Sequence, residues 1–99
     1  MPTRVINIRT KAQYDVYIGR TNRFHPDLYQ DQGFGNPFKG DDAIPRFRAY
    51  FIEKVRSDGA FREQVLALKG KTLGCWCEGR NRGGFCHGDV IVDWLDRQP

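Results

Sequence analysis

The side chains best suited to chemistry lie close together near the carboxyl end of the chain. Cys75, Trp76 and Cys77 are separated by eight residues from Cys86 and His87. Three thiolates and one imidazole form a ligand set of tetrahedral zinc sites, so the three cysteines and His87 are predicted zinc ligands. Two other interpretations stay open: reduced thiols that pack and anchor a loop, and a reactive thiol with His87 as its base.

A glycine-rich segment, residues 33–38, is the second candidate for binding a ligand. Gly33 and Gly35 permit a close backbone approach or a positive φ, and Asn36 stands before a proline that fixes a turn. Exposed N–H groups in such a loop could hold a phosphate, and Asn36 could read the edge of a base or a ribose. The alternative is a structural turn whose two phenylalanines pack into the core.

Arg20 is a further predicted phosphate ligand. It follows Gly19 at the carboxyl end of a predicted strand, where ligands approach an α/β sheet. A guanidinium group there can bind phosphate through two parallel hydrogen bonds; the alternative is a solvated charge. Trp76 or Phe34 could stack on a base. The N–H groups at the start of the last helix offer a second anion site. Asp89 lies there and is predicted to be a ligand-binding residue, although its carboxylate would compete with a bound anion for these N–H groups.

The charge balance of the chain is compatible with a phosphate-bearing partner. Sixteen lysines and arginines stand against 12 aspartates and glutamates, which gives a formal net charge of +4. The basic segment Arg80-Asn81-Arg82, flanked by glycines, could contact the phosphates of a nucleic acid. Both a phosphorylated small molecule and a nucleic acid are therefore candidate partners.

The composition argues against several classes of protein. No apolar run approaches the roughly 18 residues that a membrane-spanning helix needs. No signal peptide is visible, and three cysteines, an odd number, argue against a secreted disulfide scaffold. These features predict a folded cytoplasmic protein with no membrane partner.

Hydrophobic periodicity predicts the element order ββααβα. Strand-like alternation or burial covers three segments: residues 4–9, 14–19 and 72–77. Helical periodicity follows Asp42 through Ser57, runs from a cap at Ser57 or Asp58 to Gly70, and returns from Gly88 to Arg97. The prediction is a single-domain α/β sandwich over residues 1–99 with a partly parallel sheet, in which a hairpin could join the first two strands.

Four motifs in order resemble the domain of unknown function 4326, a family of bacterial and phage proteins. They are Tyr17 to Arg20, Gly35 to Phe38, Gly70 to Cys77, and Cys86 to Val90. The resemblance covers roughly residues 4–96 and supports the fold, while it implies no particular activity.

The polar motifs of the chain are expected to converge at one edge of the sheet. Three functional hypotheses follow. The leading hypothesis is a protein that binds, and could act on, a phosphorylated nucleotide-like small molecule. The alternative is a zinc-stabilised nucleic-acid-binding module. The third is a thiol-dependent enzyme that uses Cys77 or Cys86.

Overall fold

A parallel sheet and three helices make up the described part of the chain. The computed structural model describes residues 3–8, 13–22, 24–38, 40, 42–75 and 86–98. Within them the strands are β1 (Arg4–Asn7), β2 (Val16–Tyr17) and β3 (Thr72–Cys75), and the helices are α1 (Ala43–Ser57), α2 (Gly59–Leu66) and α3 (His87–Asp96). The predicted α/β class and the element order ββααβα are confirmed; the sheet, predicted to be partly parallel, is parallel in both of its described strand pairs.

The first two strands do not form the hairpin that the sequence left possible. The sheet order is β1-β3-β2, and both outer strands pair with β3 in parallel. The apolar segment Leu73-Gly74-Cys75 is buried throughout. The backbone hydrogen bonds of such a strand are satisfied best in the centre of the sheet, between two neighbouring strands. β1 and β2 therefore share β3 as their partner instead of pairing with each other.

Helix α2 begins where a local side chain satisfies one of its free backbone groups. Asp58 caps α2, because its carboxylate accepts a hydrogen bond from the N–H of Phe61 at 3.1 Å. α2 ends at Leu66, before the turn that leads to Gly70, whose φ of 83° suits a glycine. Among the described helices none is long and apolar enough to span a membrane.

One face of the sheet carries the hydrophobic core. Leu73 and Cys75 of β3 are fully buried in that core, while Gly74 between them faces the ring of Tyr14 on the other side of the sheet. The helices fill the core face with these buried side chains: Phe47, Phe51, Val55, Phe61, Val65, Val90, Ile91 and Leu95. The start of α3 lies against the sheet, because a Cβ at Gly88 would stand 2.8 Å from Val5 and from Ile18.

Candidate ligand and metal site at the carboxyl edge of the sheet

The carboxyl ends of the three parallel strands meet at one edge of the sheet. β1 ends at Asn7, β2 at Tyr17 and β3 at Cys75. Helix α3 begins at the same edge, since the Nε2 atom of His87 lies 2.7 Å from the carbonyl oxygen of Ile18. In open α/β sheets this edge is where ligands bind.

Two of the predicted metal ligands are in contact at this edge. The Sγ atoms of Cys75, at the end of β3, and Cys86, the N-cap of α3, lie 3.3 Å apart. Both cysteines are fully buried. A fully buried thiol is shielded from a substrate, which disfavours Cys86 as the nucleophile of a thiol-dependent enzyme. Cys77, the third predicted thiolate, lies outside the described residues, as does Trp76.

His87 is buried beside this thiol pair and bonded across the sheet edge. A carbonyl oxygen only accepts hydrogen bonds, so Nε2 must donate its hydrogen to Ile18. The ring also packs edge-on against Phe47, at 5.3 Å between centroids. In the neutral ring the lone pair is then on Nδ1, so a metal would have to be held by that atom. Within the described ranges no group of three His, Cys, Asp or Glu side chains converges as a metal site.

The start of α3 is satisfied by side chains and a backbone carbonyl of its own first turn. The N–H of Cys86 donates to the carboxylate of Asp89 at 2.8 Å, and the N–H of Gly88 donates to the Sγ of Cys86 at 3.1 Å. The N–H of Asp89 donates to the carbonyl of Cys86 at 3.0 Å. These amides therefore do not offer the second anion site expected at this helix start, and Asp89 acts as a cap.

The glycine-rich segment is organised around Asp31, a residue that the sequence analysis missed. Its Oδ1 atom accepts hydrogen bonds from the N–H of Gly33 at 2.7 Å and from that of Gly35 at 3.3 Å. The two amides expected to hold a phosphate thus already hold a carboxylate of the chain. An aspartate two residues before a glycine is a turn signal that could have revealed this arrangement.

Asn36 links the glycine-rich segment to α1 by a hydrogen bond. Its Oδ1 accepts a hydrogen bond from the N–H of Phe38 at 2.9 Å, and its Nδ2 donates to the carbonyl of Ala43 at 3.4 Å. Phe34 is buried and packs on Phe61 with 6.0 Å between centroids, so the expectation that Phe34 stacks on a base is wrong. The structural-turn alternative describes the observed contacts of this segment, and a ligand contact by Asn36 stays a prediction.

Arg20 is a predicted site residue whose side chain the described part of the fold leaves available. Its side chain is exposed, and among the described residues its guanidinium group has no hydrogen-bond or ion-pair partner. Its backbone is held in place, because the hydroxyl of Tyr17 donates to the carbonyl of Arg20 at 2.5 Å. Gly35 lies beside it, where an added Cβ would stand 3.0 Å from the Cγ of Arg20. The structure thus brings Arg20 and the glycine-rich segment together.

Comparisons with known proteins point to one family. The family model described as a domain of unknown function (DUF4326) matches residues 5–97. An uncharacterized 12.4 kDa protein from the nrdA-td intergenic region of Enterobacteria phage T4 is 30% identical over 94 residues, which are 95% of this chain and 78% of that protein. An uncharacterized protein of Acanthamoeba polyphaga mimivirus is 35% identical over 85 residues, 79% of this chain and 64% of that protein. No solved structure matches the chain.

Proposed function

Since the chain belongs to the family described as a domain of unknown function (DUF4326), we propose its function from the geometry of the site. The protein binds a phosphorylated, nucleotide-like small molecule at the carboxyl edge of its parallel sheet. Arg20 is the residue that holds the phosphate. The observation that carries this proposal is an exposed guanidinium group, without a partner among the described residues, at the edge where such sheets bind ligands.

The surroundings of Arg20 hold its backbone in place and leave its guanidinium group exposed. The bond from Tyr17 to the carbonyl of Arg20 fixes the strand end, so less conformational entropy is lost when a ligand binds. The carboxylate of Asp31 stands on the neighbouring segment, where two amide hydrogen bonds offset part of its charge. A phosphate can therefore approach Arg20 from the solvent side.

The direct test is ligand binding to the Arg20→Ala variant. A panel of nucleoside mono-, di- and triphosphates is screened by thermal shift, and ligands that stabilise the wild-type chain are titrated calorimetrically. Loss of one charge-assisted phosphate contact should weaken binding about 10- to 100-fold. Arg62→Ala is the matched control, because Arg62 is an exposed arginine on α2. No stabilising ligand, or equal affinities of the two variants, would contradict the proposal.

A second candidate function, a zinc-stabilised nucleic-acid-binding module, is favoured by the contact between Cys75 and Cys86. A bound zinc would cross-link β3 to α3 through these sulfurs, and the bond from His87 to Ile18 is the kind that fixes the tautomer of a histidine ligand. Cys77 and the basic segment 80–82 complete this hypothesis from the sequence. Its test is salt-dependent binding of DNA or RNA that weakens in an Arg80→Ala, Arg82→Ala variant; salt-independent or absent binding would contradict it.

A further inference from the structure

A cavity of about 370 Å³ lies between β2 and the segment that precedes Gly33. We propose that it holds the nucleoside part, ribose and base, of the nucleotide whose phosphate Arg20 binds. This inference rests on the proposed function and names its ligand class more closely. The polar lining consists of Tyr14, Asp15, Tyr17, Asp27, Gln30 and Gln32.

Tyr17 connects the cavity to Arg20, the residue that holds the phosphate. The side chain of Tyr17 lines the cavity, and its hydroxyl donates to the backbone carbonyl of Arg20. Gly19 permits this path, because a Cβ at that position would stand 2.5 Å from the same hydroxyl. The cavity wall at Tyr17 is therefore bonded directly to the backbone of the residue that holds the phosphate.

The lining has the chemistry that a nucleoside needs. Ribose hydroxyls both donate and accept hydrogen bonds, and the carboxylates and amides of the lining supply acceptors and donors. Asp15 is held in place, since its Oδ2 accepts a hydrogen bond from the N–H of Thr72 at 2.8 Å. Gln32 is also fixed, because its Nε2 donates to the carbonyl of Gln30 at 3.0 Å. These hydrogen bonds restrict the two side chains before a ligand binds, so less conformational entropy is lost on binding.

The ring of Tyr14 provides the flat surface on which a base can stack. It is partly exposed and covers Gly74 of the sheet, whereas Tyr17 is buried and packs against Tyr29 with 5.4 Å between ring centroids. Burial, with a smaller contribution from Tyr29, raises the pKa of Tyr14, so its phenol stays protonated at neutral pH. Tyr14 is therefore a hydrogen-bond donor as well as an apolar surface.

Size and charge select the orientation of the ligand. A volume of about 370 Å³ lies near the lower end of the range for small-molecule pockets and suits one nucleoside. Among the described residues, two carboxylates and no cationic side chain line the cavity, so these residues repel a phosphate, which Arg20 outside the cavity attracts. The separated charges thus place the uncharged part of a nucleotide inside and its phosphate at the sheet edge.

The test compares probes that share a phosphate but differ in the nucleoside. The full chain is titrated calorimetrically with inorganic phosphate, ribose 5-phosphate, the four common nucleoside 5′-monophosphates, and spermidine as an organic cation. At least one monophosphate should bind ten or more times tighter than inorganic phosphate, with ribose 5-phosphate between them. Asp27→Asn should weaken that monophosphate at least fivefold and leave phosphate unchanged, whereas the control Asp96→Asn, an exposed aspartate at the end of α3, should change neither.

The outcomes separate this inference from the proposed function. If inorganic phosphate binds as tightly as every monophosphate and only Arg20→Ala weakens binding, the phosphate site stands and the nucleoside cavity is refuted. If no phosphorylated probe binds, both are refuted. If spermidine binds and Asp27→Asn abolishes that binding while the monophosphates do not bind, the cavity is a cation site and both proposals are wrong.

Discussion

Replacement of His87 by alanine should lower the free energy of unfolding by about 3–5 kcal/mol. The ring is buried, packs on Phe47, and donates a hydrogen bond to the carbonyl of Ile18. Its removal leaves a cavity and a buried carbonyl without its donor, and both effects destabilise the fold. Because domains of this kind are stable by only about 5–15 kcal/mol, the variant should be close to unfolding at physiological temperature. Urea denaturation followed by circular dichroism measures the change.

His87→Gln separates the hydrogen bond from the volume. The terminal amide nitrogen of glutamine can reach the position of Nε2 and donate to the same carbonyl, while the ring contact with Phe47 is lost. This variant should recover at least 1 kcal/mol relative to alanine, the value of a typical hydrogen bond. Equal stabilities of the two variants, or a loss below 1 kcal/mol for alanine, would contradict the role assigned to His87.

The second large effect concerns the thiol pair. Protein purified without a histidine tag should contain about one zinc per chain, with sulfur–zinc distances of about 2.3 Å. Cys75→Ser and Cys86→Ser should each lose the metal, because the two sulfurs are neighbours at 3.3 Å. His25→Ala, which changes the other, exposed histidine, should retain it. Elemental analysis measures the stoichiometry.

Removal of the metal should destabilise α3 before the other elements. The proposed site joins the end of β3 to the N-cap of α3, so a chelator breaks the connection on which the helix start depends. Hydrogen exchange should therefore show loss of protection along α3 while α1 stays protected. A protein that contains no metal and has three titratable thiols would refute the zinc interpretation.

The fold could be predicted from local patterns, except for how the strands pair. Alternation predicted strands near their observed places, and helical spacing of Phe47, Phe51 and Val55 predicted α1. A hairpin between the first two strands stayed possible because alternation is the same in parallel and antiparallel strands, and only tertiary burial decides which strand is central. β2 is also shorter than predicted, since only Val16 and Tyr17 pair with β3.

The candidate site was harder to predict, because its contacts join residues far apart in the sequence. The cysteine cluster was visible as a motif, and the structure brings Cys75 and Cys86 together. No local pattern indicates that His87 bonds to the carbonyl of Ile18, 69 positions away. Similarly, glycines suggested free amides in the loop, whereas Asp31 already accepts hydrogen bonds from them. A sequence shows which groups can form hydrogen bonds, whereas the fold determines which partners they have.

The central claim, that a phosphorylated ligand binds at the carboxyl edge of the sheet, is tested most directly by nuclear magnetic resonance. The ¹⁵N-labelled chain is titrated with a nucleoside 5′-monophosphate that stabilises it. The largest shifts should occur at the side-chain Nε–H of Arg20 and at the amides of residues 19–21 and 27–35, while the amides of α2 stay unchanged. An unchanged Arg20 signal at saturating ligand, or shifts confined to α1 and α2, would contradict the account.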